Sequence, residues 1–178
     1  MKNKKILACL IIAILFQASV LVGEYVSSVY PHWTGKEIIL KMRPVDPRSM
    51  FRGQYVNLNY EINSLSSELM KEIDTSDQTL RQGEIVYVSL KENDGIWEAS
   101  SVNLSKPLTG MFIQGRIHRR WRGSTVSIKY GIEAYFASPK RAKEIENSVR
   151  KESRNGKAFA IVMIASNGKA ALKDITIK

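Results

Sequence analysis

The chain opens with a run of apolar positions long enough to cross a membrane. Residues 6–23 read ILACLIIAILFQASVLVG, with no charge and with Gln17 and Ser19 as the polar interruptions. Those 18 positions make about 27 Å of helix at about 1.5 Å each, just enough for the hydrocarbon core of a bilayer. Lys2, Lys4 and Lys5 precede the run and Glu24 follows it. Such a bias predicts a cytoplasmic N-terminus, with everything after about Tyr25 outside the cytoplasm. Tyr25, Tyr30 and Trp33 lie just beyond the run, where amphipathic rings favour the interface. A cleaved signal peptide shares the charged start and apolar centre but needs small residues at a cleavage point, and Ser27-Ser28-Val29 offers only a weak one. The pattern predicts a single-pass anchor in the cell membrane: a basic tail over 1–5, the span over 6–23, a juxtamembrane link over 24–35 and a displayed domain over 36–178.

In that domain the period changes to two. Residues 36–43 (KEIILKMR) place Ile38, Leu40 and Met42 on one face, and residues 54–62 (QYVNLNYEI) do the same with Val56, Leu58, Tyr60 and Ile62. Between them, residues 44–53 (PVDPRSMFRG) are too rich in proline and charge for a regular element and read as a structured loop. Leu65, Leu69 and Ile73 recur every four residues, the spacing of a short helix. Residues 85–90 and 97–104 form two strands around Asp94-Gly95, a strong hairpin signal. Residues 111–121 and 125–130 suggest a second pair. Ser138-Pro139 can start a helix carrying Ala142, Ile145 and Val149 on one side, with a basic outer face, as far as about Glu152. Residues 158–165 are apolar at nearly every position, as in a strand covered on both faces, and Asn167-Gly168 turns the chain into a last strand over 170–177. The fold class is α+β: a mostly antiparallel β domain with one or two short helices behind one transmembrane helix.

Composition narrows the chemistry. The chain has 178 residues, 44% hydrophobic and 25% charged, which fits one folded domain and not a disordered one. One cysteine, Cys9, lies in the apolar run, so the domain can form no internal disulfide. His32 and His118 are far apart, and neither a metal site nor a cofactor is expected. The net charge is +10, and subtracting the three tail lysines leaves +7 on the rest. Outside the cytoplasm such a surface favours anionic lipid or envelope polymer over nucleic acid. The run RIHRRWRG at 116–123 is either a solvated strand face or a contact for such anions. No phosphate loop, GxSxG elbow, HExxH or calcium loop occurs.

One segment resembles a known family. Residues 52–60 read RGQYVNLNY, and Gly53, Tyr55, Leu58 and Tyr60 are similar to the motif that names the GDYXXLXY protein family. The resemblance extends to VDPRSMF at 45–51, YGIEAYF at 130–136 and the closing AALKDITI, with Gln54 standing where the motif has an acid. It implies a membrane-anchored extracytoplasmic domain of uncharacterised activity, working beside a multi-pass membrane protein. The residues that carry it, Asp46, Arg48, Arg52, Gly53, Tyr55, Leu58, Tyr60, Glu133 and Tyr135, admit two readings. In the first, Leu58 and Tyr60 face the core, Gly53 admits a close turn, and an arginine pairs with Glu133 to hold the loop. In the second, Arg48, Arg52 and the tyrosines form a small pocket for an anionic envelope ligand. Ser49, with Gly53 to Val56 after it, is also faintly similar to the nucleophile region of signal-peptidase-like Ser-Lys hydrolases. Lys140 is the nearest candidate base, but at an exposed helix start it would stay charged. The reading that follows is a non-catalytic accessory or interaction protein.

Overall fold

The structure is a computed structural model that describes residues 2–43, 55–70, 81–120, 125–136, 149, 151–152 and 156–177. Helix α1 covers Lys2–Thr34, 33 residues. Its stretch Lys5–Thr34 is long and apolar enough to cross a membrane, with 0% of its most apolar window buried against the rest of the chain. Large side chains such as Leu15, Phe16 and Leu21 are 63%, 69% and 70% exposed. Residues 24–34, expected to form a link, continue the helix. Pro31 lies inside it and removes a backbone donor, yet the proline is buried. Gly35 closes the last turn by donating its N–H to the Pro31 carbonyl at 2.9 Å.

The described strands pair antiparallel throughout. Strand β1 (Lys36–Lys41), β9 (Ala158–Ile164) and β10 (Ala170–Ile177) form a three-stranded sheet in the order β1-β9-β10. A five-stranded sheet has the order β3-β7-β6-β4-β5, from β3 (Ser64–Ser66), β4 (Ile85–Asn93), β5 (Ile96–Asn103), β6 (Met111–Arg120) and β7 (Thr125–Lys129). A two-stranded ladder joins β2 (Tyr55–Asn57) to β8 (Ala134–Phe136). The alternating positions of both larger sheets meet in one core that includes Ile38, Leu40, Met42, Val86, Val88, Ile113, Ile117, Ile128 and Val162. Strand β9 is apolar throughout because it is the central strand of its sheet. Ala158, Ala160, Val162 and Ile164 are buried and the alternate Ile161 and Met163 half-buried.

Both hairpins are present. Asp94 (φ 50) and Gly95 (φ 78) occupy the left-handed region that a two-residue turn requires, and β4 and β5 pair from Asn93↔Ile96 onward. Strands β6 and β7 pair from Arg116↔Lys129 to Arg120↔Val126. Two expectations change. The strand over 54–62 is regular only to Asn57, after which the chain enters a 3-10 turn, Glu61–Asn63. The helix expected from Leu65 and Leu69 is instead β3 followed by a 3-10 turn, Ser67–Met70, because Leu65 takes a place opposite Val126 in the five-stranded sheet. Three serines around it, poor helix formers that bond their own backbone, offer no resistance. The loop over 44–53 and most of the basic helix lie outside the described residues, although Val149 is helical and buried and the helix includes Glu152.

Candidate functional site

The two segments carrying the motif resemblance lie against each other. Ladder β2–β8 sets Tyr55 opposite Phe136, Val56 opposite Tyr135 and Asn57 opposite Ala134. Leu58 then leaves the ladder with its N–H on the Glu133 carbonyl at 2.7 Å, its side chain 2% exposed. Next, the Tyr60 N–H donates to Asn63 Oδ1 at 2.6 Å while the Asn63 N–H donates to the Tyr60 carbonyl at 3.0 Å. These reciprocal bonds close the 3-10 turn and bring the Tyr60 ring inward.

Two tyrosines then clasp the segments. Tyr60, 0% exposed, donates its hydroxyl to the Ile132 carbonyl at 2.7 Å. Tyr130 donates in the opposite direction, to the Ile62 carbonyl at 2.6 Å. The Glu133 carboxylate accepts the N–H groups of Tyr130 at 2.6 Å and Gly131 at 2.9 Å, and the Asn63 amide at 3.0 Å. The second hydrogen of that amide reaches the Ile128 carbonyl at 2.8 Å. Burial pushes both phenols well above the ordinary tyrosine range, and the negative charge of Glu133 pushes them further. Both rings stay protonated at neutral pH and serve as donors, not as bases or nucleophiles.

Leu58, Tyr60, Tyr135 and Glu133 are therefore brought to one junction. Backbone pairing places Tyr55 there as well. Asp46, Arg48, Ser49, Arg52, Gly53, Gln54 and Lys140 lie outside the described residues. The partners seen on Glu133 are backbone N–H groups and an amide, where a cation was expected. Two members of the junction are not among the site residues that the sequence suggests. Tyr130 was legible, since it shares the buried parity of Val126 and Ile128 and a buried phenol needs an acceptor. Asn63 was not, because simple alternation from Ile62 sends it to solvent.

The outer side of the junction borders a second feature. Tyr130, Glu133 and Tyr135 help to line an open cleft of about 920 Å³ between the last turns of α1 and the sheets. Lys169 reaches across one end of it to donate to the Ser27 hydroxyl. Among the described residues, no group of three or more His, Cys, Asp or Glu is placed to hold a metal ion.

The profile of the GDYXXLXY protein matches residues 17–175 of this 178-residue chain. The chain belongs to the GDYXXLXY family. The match starts inside α1, so the docked end of the helix is part of the GDYXXLXY unit along with the β domain. In this chain the last Tyr of the motif, Tyr60, forms one side of the clasp with Asn63, and Tyr130 and Glu133 form the other. No curated protein and no solved structure matches the chain significantly.

Proposed function

We propose that this GDYXXLXY chain is a membrane-anchored accessory domain, held outside the cytoplasm by α1, which acts by contact with another envelope membrane protein. One observation carries the reading. Tyr60, Asn63, Tyr130 and Glu133, polar groups that a catalytic site would aim at a substrate, are engaged with one another and with backbone. They brace the domain. Retention of the anchor is supported by the docking of its end: buried Pro31, the close approach of Gly35 to Ile164, and the Lys169 contact to Ser27 would all be disturbed by cleavage near residue 27. The lysines before the apolar run and Glu24 after it favour the outside location.

The test is recovery of the full chain from its own membranes in mild detergent after brief crosslinking. A membrane protein crosslinked in comparable amount is the expected result. Recovery of this chain alone, or crosslinked only to itself, refutes the accessory role.

A further inference from the structure

The cleft beside α1 has a location and a charge pattern that the motif clasp does not use. Glu24, Ser27 and His32 form its helical wall, and Arg116, Lys129 and Lys169 come from the sheets. If the hydrocarbon core takes up the apolar run 6–23, the helix rises about 1.5 Å per residue beyond it, and the head-group layer on each side is about 5–8 Å thick. Glu24 to Ser28 then lie at head-group depth, and Glu24, Ser27 and Ser28 are part of the cleft wall.

Arg116 and Lys129 are direct partners in the β6–β7 register. Their neighbours Gly115, Ile117, Ile128 and Tyr130 are buried, so both cations emerge on the same outer face. Like charges placed opposite each other across strands repel, and an anion between them relieves that repulsion. The Arg116 guanidinium places one N–H on the Gly83 carbonyl at 3.0 Å, which orients the group without neutralising it. Among the described residues the ion pairs are Lys41–Glu61 and Lys173–Glu37, and none involves the three cleft cations. Glu133 is turned toward its own donors, and Glu24 stands about one helical turn toward the membrane from Ser27. Pro31, Ile132 and Leu172 add apolar wall.

We propose that this cleft holds the phosphate of one anionic phospholipid head group between Arg116, Lys129 and Lys169, with the acyl chains remaining beside α1 in the bilayer. The proposal goes beyond the accessory role and rests on α1 spanning the membrane. It is tested on the full chain in mild detergent by native mass spectrometry, with phosphatidylglycerol and phosphatidylcholine as probes. The expected result is retention of one phosphatidylglycerol at least fivefold over phosphatidylcholine. An Arg116→Ser/Lys129→Ser variant should retain the two lipids to within about twofold of each other, Arg116→Lys/Lys129→Arg should keep the preference, and Lys91→Ser/Lys157→Ser, which removes the same charge elsewhere, should leave it intact. Equal retention of the two lipids, or equal loss in both serine variants, overturns the site in favour of diffuse attraction. Release of the chain from membranes by alkaline carbonate would overturn the spanning helix itself, a failure distinguishable from loss of lipid selectivity.

Discussion

Replacing Asn63 with alanine should loosen the clasp more than any other truncation of comparable size in the domain. Asn63 is 7% exposed. Its oxygen accepts the Tyr60 N–H at 2.6 Å, and its nitrogen donates to the Ile128 carbonyl at 2.8 Å and to Glu133 at 3.0 Å. Asn63→Ala strands one buried N–H and one buried carbonyl, while Glu133 keeps its two backbone donors. A stranded buried polar group costs about 1–3 kcal/mol, so the variant, which strands two, should lose about 2–6 kcal/mol. That is a large share of the roughly 5–15 kcal/mol that holds a typical domain together. Urea unfolding of the full chain in mild detergent, followed by tryptophan fluorescence, measures it. Asn63→Asp keeps the acceptor for Tyr60 but has no donor for Ile128 and faces the Glu133 charge, so at pH 7 it should destabilise at least as much. A loss below about 1 kcal/mol for Asn63→Ala would put it among ordinary surface changes. The clasp would then not be what joins the two motif segments.

Alkaline pH should destabilise the domain through Tyr60 and Tyr130. The unfolded chain releases these protons near pH 10 whereas the fold retains them, so their contribution is complete below about pH 10 and declines above it. The decline should approach about 1.4 kcal/mol per pH unit for each tyrosine, and Tyr60→Phe/Tyr130→Phe should flatten it between about pH 10 and 12. An unchanged slope would contradict the burial argument. Gly168→Ala combines a φ of +84° with a Cβ placed 2.6 Å from the Phe112 ring, whereas Gly95→Ala has a φ of +78° and open space. The second should cost about 1–2 kcal/mol and the first about 1–3 kcal/mol more, read from their urea midpoints, and equal costs would remove the crowding argument. Gly35→Val drives a side chain into the Pro31 carbonyl, 2.3 Å from the Cβ position, and against the Ile164 backbone. It should undock the helix end, read as faster amide hydrogen exchange over residues 28–34 than in the parent chain. Unchanged exchange there would show that the helix end does not depend on this close approach.

Some of this architecture is decided within a few residues of sequence. The apolar run of α1 needs no partner within the chain to be recognised as long and apolar enough to cross a membrane. The β4–β5 hairpin follows from period-two alternation on either side of Asp94-Gly95, whose backbone angles belong to the turn itself. The doubly apolar β9 signals a central strand for the same local reason. The remaining features depend on what meets what. Leu65 and Leu69 have helical spacing, yet the place opposite Val126 makes β3 a strand. Residues 24–34 carry no long apolar signal, and their helix ends where Gly35 packs closely against Ile164 at the end of β9. Arg116 and Lys129 are 13 positions apart and become neighbours only through the β6–β7 register. Asn63 stands at a position that alternation assigns to solvent, and the 3-10 turn that buries it is held by Tyr60 and by carbonyl and carboxylate groups more than 60 residues away. Sequence alone determined the long apolar helix, the hairpins and the family motif, because periodicity and turn chemistry are local. Only the tertiary structure decided that the motif is a clasp bordering a basic cleft, because hydrogen-bond partners and facing charges come from distant parts of the chain.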